Sequence, residues 1–133
     1  MIIQSSTKEF QVPLHKVKEF LSIPKNLVYL LPKDKVSDFQ SNEAQCSFKA
    51  QGGINIHLDF VGSENHSIHY RSGNGSPFVF TLTIKLEAME THCSGHIVFD
   101  GEINGFLKMM VEKPLKGLFE EMGENLSAHF QQN

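Results

Sequence analysis

The chain has no tryptophan, only two tyrosines and only two cysteines among 133 residues. Cys46 and Cys93 are too few and too widely separated for a zinc-ligand spacing or a disulfide framework, so both are expected as free thiols. Neither sign of charge is in excess: 12 Lys and Arg face 15 Asp and Glu, for a formal charge of −3. Binders of nucleic acid or of anionic surfaces concentrate basic residues, which leaves no electrostatic case for either partner. No apolar run approaches the ~20 residues that span a bilayer, so no stable membrane insertion is expected. The opening Met1-Ile2-Ile3-Gln4-Ser5-Ser6 lacks the basic start and apolar core of a secretion signal, and the expected location is cytoplasmic. Neither GxSxG, HExxH nor a phosphate-binding loop occurs. No catalytic residue, metal ligand or cofactor is therefore assigned, and an enzymatic role is the less favoured expectation.

What is present is apolar mass. Hydrophobic residues make up 40% of the chain, enough for one domain over residues 1–133 to build a core without metal or disulfide help. Eleven of these residues are phenylalanine. Phenylalanine supplies apolar wall with no polar handle, which suits an interior that is either packed or hollow.

Periodicity divides the chain. Ile2 to Gln11 forms a first strand. Val12-Pro13 opens a short helix, because proline is preorganised for the first helical turn and its missing N–H is not needed there; Leu14, Val17, Phe20 and Leu21 follow at helical spacing. Ile23-Pro24 starts a second short helix with Leu27, Leu30 and Leu31 on its apolar face. Strands then succeed one another at Val36–Gln40, Cys46–Ala50, Ile54–Phe60, Ile68–Arg71, Phe78–Ala88 and His92–Gly101. The turn signals between them include Gly52-Gly53, Gly62 to Asn65 and Gly73-Asn74-Gly75-Ser76-Pro77. Such short connections imply antiparallel pairing. The chain closes with a helix over 104–130, capped at Asn104. Leu107, Val111, Leu115, Leu118, Met122 and Leu126 form its apolar stripe. Lys108, Glu112, Lys116, Glu120 and Glu124 step by four on the solvated face. Pro114 lies inside this helix and leaves the Met110 carbonyl without its helical donor, which predicts a kink.

A closing helix of this length has to lie across the sheet that precedes it, and a curved sheet gripping one helix tends to enclose a pocket. The side chains that point to one side of their strands are Ile56, Leu58, Phe60, Tyr70, Phe78, Phe80, Leu82, Ile97 and Phe99. Leu27, Leu30 and Leu31, with Phe106, Met109 and Met110 of the helix, are expected to close over them. These fifteen residues are the candidate ligand pocket. Methionine suits either a promiscuous pocket or an ordinary core. Tyr70 offers a hydroxyl to orient a ligand, although a bond to backbone is the commoner fate of a buried tyrosine. His57, His69 and His96 fall on the polar side of their strands, where a solvated outer face explains them better than a metal site. His92 and His96 stand about 13 Å apart at ~3.3 Å per residue, too far to share a metal. Cys46 and Cys93 fall on apolar faces, where a thiol is inert.

The order of elements resembles the helix-grip fold of the START-like superfamily, also called SRPBCC, which includes the plant allergen Bet v 1 and polyketide cyclases. The resemblance spans the chain. It rests on the opening from Val12-Pro13 through Phe20-Leu21 to Ile23-Pro24-Lys25-Asn26-Leu27, the Gly75-Ser76-Pro77-Phe78 turn, and the helix from Phe106-Leu107-Lys108-Met109-Met110 to Pro114-Leu115. Small bacterial members of unassigned function look similar. The resemblance implies an α+β fold in which a curved antiparallel sheet of about six or seven strands surrounds one long C-terminal helix, with two short helices after the first strand. It also implies a cavity for a small apolar partner such as a lipid or polyketide-like compound, held by a carrier or sensor. A cyclase or dehydratase using the same cavity, and a protein-interaction module with a filled core, are the alternatives.

Overall fold

The computed structural model of the chain describes residues 1–131. Eight strands form one antiparallel sheet: β1 (Ile2–Gln4), β2 (Lys8–Phe10), β3 (Ser37–Ser41), β4 (Gln45–Ala50), β5 (Ile54–Glu64), β6 (Ser67–Ser72), β7 (Phe80–Ala88) and β8 (Cys93–Gly101). Helix α1 (Leu14–Leu21) and a 3-10 segment (Pro24–Tyr29) separate β2 from β3, and α2 (Gly105–His129) closes the fold. The strands lie side by side in the order β1-β8-β7-β6-β5-β4-β3, with β2 also on β8. From β3 to β8 the sheet is a meander; only β1 and β2 return across the molecule. This is the α+β helix-grip arrangement that the element order implied.

Four local features depart from the periodicity, each for a physical reason. The first strand is two strands. Between them the Ser5 N–H donates to the Ile97 carbonyl at 2.9 Å, and the Ser5 hydroxyl accepts from the Ile97 N–H at 2.8 Å. A side chain thus stands in for a backbone acceptor, and the strand is interrupted without orphaning a buried donor. The second short helix is a 3-10 segment that ends at Tyr29, as suits a piece this short. Gly62 is a bulge rather than a turn. Its φ of 148° accompanies a register shift between Phe60 and Gly62, and β5 runs on to Glu64. Phe78 and Val79 precede β7 instead of opening it.

Alternation sorts the sheet into two faces. On the inner one, Ile56, Leu58, Tyr70, Phe80, Leu82, Ile84, Ile97 and Phe99 are buried. Helix α2 packs there through Val111, Leu115, Leu118, Phe119, Met122 and Leu126. Phe99 joins sheet to helix, stacked on Phe80 with centroids 5.1 Å apart and on Phe119 at 5.2 Å. Where the helix passes the Ser5 interruption it carries Gly123, whose missing Cβ would stand 3.6 Å from Lys8 and 3.8 Å from Ser5. Asn104 is the extended residue before α2, but its side chain makes no capping bond.

Candidate functional site

The first turns of α2 are the anomaly of this molecule. Every residue from Asn104 to Met110 is exposed. Phe106 is 75% exposed, Met109 79% and Met110 58%, and Leu107 joins them at 38%. The stripe that docks the helix begins only at Val111. Phe106, Met109 and Met110 were expected to close over the inner face and do not; the helix meets the sheet only from Val111 onward. A single exposed leucine is unremarkable, whereas four large apolar side chains in two helical turns form a contiguous patch of the kind that marks a binding surface.

The other candidate residues went inside. Leu27, Leu30, Leu31, Ile56, Leu58, Tyr70, Phe78, Phe80, Leu82, Ile97 and Phe99 are all buried in one apolar cluster, and Phe60 packs against it partly buried. Phe60 meets the Tyr70 ring at 5.3 Å. The Tyr70 hydroxyl donates to the Leu21 carbonyl at 2.7 Å, which satisfies a carbonyl at the end of α1. Burial, with a smaller contribution from Cys46, holds its proton well above the ordinary tyrosine range. Burial also pushes the Cys46 thiol up to about 12 and raises that of Cys93. Both cysteines are buried and unpaired. A thiol held protonated is a small hydrophobe rather than a nucleophile.

Beside the exposed turns lies a cleft of about 780 Å³. One wall is α2 itself, at Lys113, Pro114, Gly117 and Glu120; the other is Gln4 of β1, Lys35, and Gln51-Gly52 of the β4–β5 turn. Met110 stands three and four residues before Lys113 and Pro114, so the exposed patch runs along the helix into this cleft. Gly117 leaves the helix bare there, with no atom within 4 Å of where its Cβ would be. Two cations on the rim are engaged: Lys35 bonds Glu121 at 2.7 Å, and Lys116 lies 3.8 Å from Glu112. Lys113 makes no ion pair among the described residues. At the far end the Ser6 hydroxyl and amide both donate to Glu120; with Lys8 at 3.3 Å, they hold its carboxyl below the usual range. The cleft residues escaped the sequence reading. Gly117 was the available signal, since a glycine inside a helix that is otherwise sound usually has a packing or functional reason.

His57, His69 and His96 lie on the outer face of the sheet, each half-buried rather than freely solvated. The His69 ring bonds Ser67 at 2.8 Å and reaches Glu64 at 3.5 Å; His92 reaches Glu9 at 3.4 Å. Among the described residues no three His, Cys, Asp or Glu side chains converge as a metal site would require. No helix among them is long and apolar enough to cross a membrane.

No family model matches the chain, and no curated protein matches it by sequence. Solved structures do match. A START superfamily protein from Mycobacterium smegmatis superposes with a TM-score of 0.73 at 14% identity, over 98% of this chain and 97% of the other. A point mutant of norcoclaurine synthase from Thalictrum flavum, in complex with a transition-state analogue, gives 0.75 at 13% identity, over 98% and 94%. The KanY protein gives 0.78 at 17% identity, over 99% and 98%. At such identities the likeness is one of fold, and the fold is START-like.

Proposed function

We propose that this protein binds a small apolar or amphipathic molecule without covalent chemistry, at the end of the fold where α2 leaves the sheet. The observation that carries this reading is the exposure of Phe106, Met109 and Met110 beside the cleft along Lys113, Pro114 and Gly117. The cleft falls within the roughly 300–1,000 Å³ typical of small-molecule sites. Covering the three exposed side chains is worth about 1.5–3 kcal/mol each when complete. That is enough to offset much of the cost of immobilising a ligand. Methionine adapts its shape to the guest. The START-like neighbours support the binding part of this reading, one of them, a synthase, having been solved in complex with a transition-state analogue.

An acid–base enzyme of the cyclase or dehydratase kind is less well supported. The Tyr70 hydroxyl is committed to Leu21 and the two cysteine thiols are held protonated, so neither kind of group is poised to exchange a proton near neutrality.

Titration with the fluorescent amphiphile 1-anilinonaphthalene-8-sulfonate tests the site. Native protein should take up the probe saturably. Gly117→Trp, which fills the cleft, and the pair Phe106→Ser with Met110→Ser, which removes its apolar entrance, should each weaken uptake by about tenfold or more without changing the far-UV spectrum. Failure of the native protein to take up the probe, or uptake unaltered in both variants, would reject the site and bring the protein-interaction reading forward.

A further inference from the structure

The outer face of the sheet carries a constellation that the apolar reading leaves unused. Cross-strand pairing sets Gln45 opposite Asp59 and Ser47 opposite His57, and sets Asp59 opposite Arg71. These five side chains share the outer face and line a cleft of about 640 Å³. Loops from both ends build its walls. On one side the Asn42 side-chain oxygen accepts from the N–H groups of Ala44 and Gln45, at 2.9 and 3.0 Å, and fixes the β3–β4 turn. On the other, the β6–β7 loop folds back over β5. There the Ser76 hydroxyl accepts from the His57 N–H at 2.9 Å and donates to its carbonyl at 3.2 Å. Two glycines let this loop come close. A Cβ on Gly73 would stand 2.7 Å from the Asp59 carboxylate, and one on Gly75 would stand 2.6 Å from the His57 ring.

The charges inside this cleft are held apart. Asp59 and Arg71 are direct cross-strand partners, whose Cβ atoms lie about 4.5–5.5 Å apart in such a pair. Arg71 nevertheless makes no ion pair among the described residues. Asp59 accepts instead from Gln45 Nε2 at 3.0 Å. The cleft therefore presents a separated anion and cation, with amides and hydroxyls around them and the His57 imidazole as its one ring among the described residues. A purely anionic ligand would meet Asp59, and a purely cationic one Arg71. The complementary ligand carries both charges side by side. In an α-amino acid the ammonium nitrogen and the carboxylate carbon are about 2.5 Å apart, so the two charges sit side by side as those of a cross-strand pair do.

We propose that this cleft binds the zwitterionic head of a free α-amino acid. The Arg71 fork donates to the carboxylate, the ammonium group donates to Asp59, and the variable side chain lies toward Ser47, His57 and Asn74. The site is independent of the cleft at the start of α2 and on the opposite face of the sheet from the apolar core.

The test is a titration of the ¹⁵N-labelled full chain with each of the twenty standard amino acids, followed by amide chemical shifts. At least one should move the amides of Ser47, His57, Asp59, Arg71 and Asn74 saturably. Acetate and methylammonium, each carrying half of the head group, should bind about tenfold or more weakly by comparison. Arg71→Gln, at an exposed position, and Asp59→Asn, at a half-buried one, should each abolish the saturable response while keeping a dispersed spectrum and unaltered uptake of 1-anilinonaphthalene-8-sulfonate. Absence of a saturable response to all twenty up to about 10 mM, a millimolar limit for specific recognition, overturns the proposal. So does a response that persists in Arg71→Gln.

Discussion

Tyr70 shows how much a single residue can settle here. Its ring is 1% exposed, and its hydroxyl is the donor for the Leu21 carbonyl where α1 ends. Tyr70→Phe keeps the ring and removes that donor. The expected loss is about 1–3 kcal/mol, the cost of an unsatisfied buried carbonyl, measured by urea denaturation. A variant as stable as the parent would show that the carbonyl finds water instead. Alternation placed Tyr70 inward from sequence alone, and it placed the inner set from Ile56 to Phe99 as well. It did not place Phe106, Met109 or Met110. Helical spacing fixes which side of a helix a residue shares with its neighbours, but not where along its length the helix stops touching the sheet. That limit is a tertiary fact, set at Val111. The polar cleft was illegible for a related reason. His57 was weighed against the other histidines as a metal ligand, whereas its neighbours in space are Ser47 across the ladder and Gly75 from a folded-back loop.

Helix α2 combines two features that single-helix propensity disfavours, Pro114 and Gly117, within one turn. The proline was legible as lying inside one closing helix, and the helix runs continuously from Gly105 to His129. Its buried stripe from Val111 to Leu126 explains this, since tertiary packing supplies most helical stability and outweighs a local penalty. Gly117 has no such compensation on its outer side. An added methyl group there meets nothing within 4 Å, so Gly117→Ala should stabilise the fold by about 0.8–1 kcal/mol, the propensity difference between the two residues. Thermal unfolding measures this. A destabilised alanine variant would mean that the glycine backbone is strained in a way the open surroundings do not reveal. A stabilised variant that still takes up 1-anilinonaphthalene-8-sulfonate would show that the helix tolerates a methyl at the cleft, with bulk needed to block it.

At the scale of the whole molecule, the meander from β3 to β8 was legible because each of its strands pairs with its neighbour in sequence. The division of the first strand was not, because it depends on Ser5 meeting Ile97, a contact that spans 92 residues. The same contact bears on how the protein is made. Among the described residues β1 and β2 pair only with β8, the last of the eight strands to emerge from the ribosome. At about 5–20 residues per second, translation leaves the amino-terminal segment without its partner for roughly 5–20 s. Over that interval Ile3 and Phe10, both buried in the finished fold, have no strand to cover them. Ribosome-arrested chains that expose residues up to His92 should be cleaved near Phe10 by a protease in limiting amount, and those that expose residues up to His129 should resist it. Equal resistance at both lengths would mean that β3 to β7 shelter the segment before β8 arrives. Otherwise the newborn chain presents an uncovered apolar segment for as long as the stretch from α1 to β8 takes to be synthesised, and it is then that a holding chaperone would find its substrate.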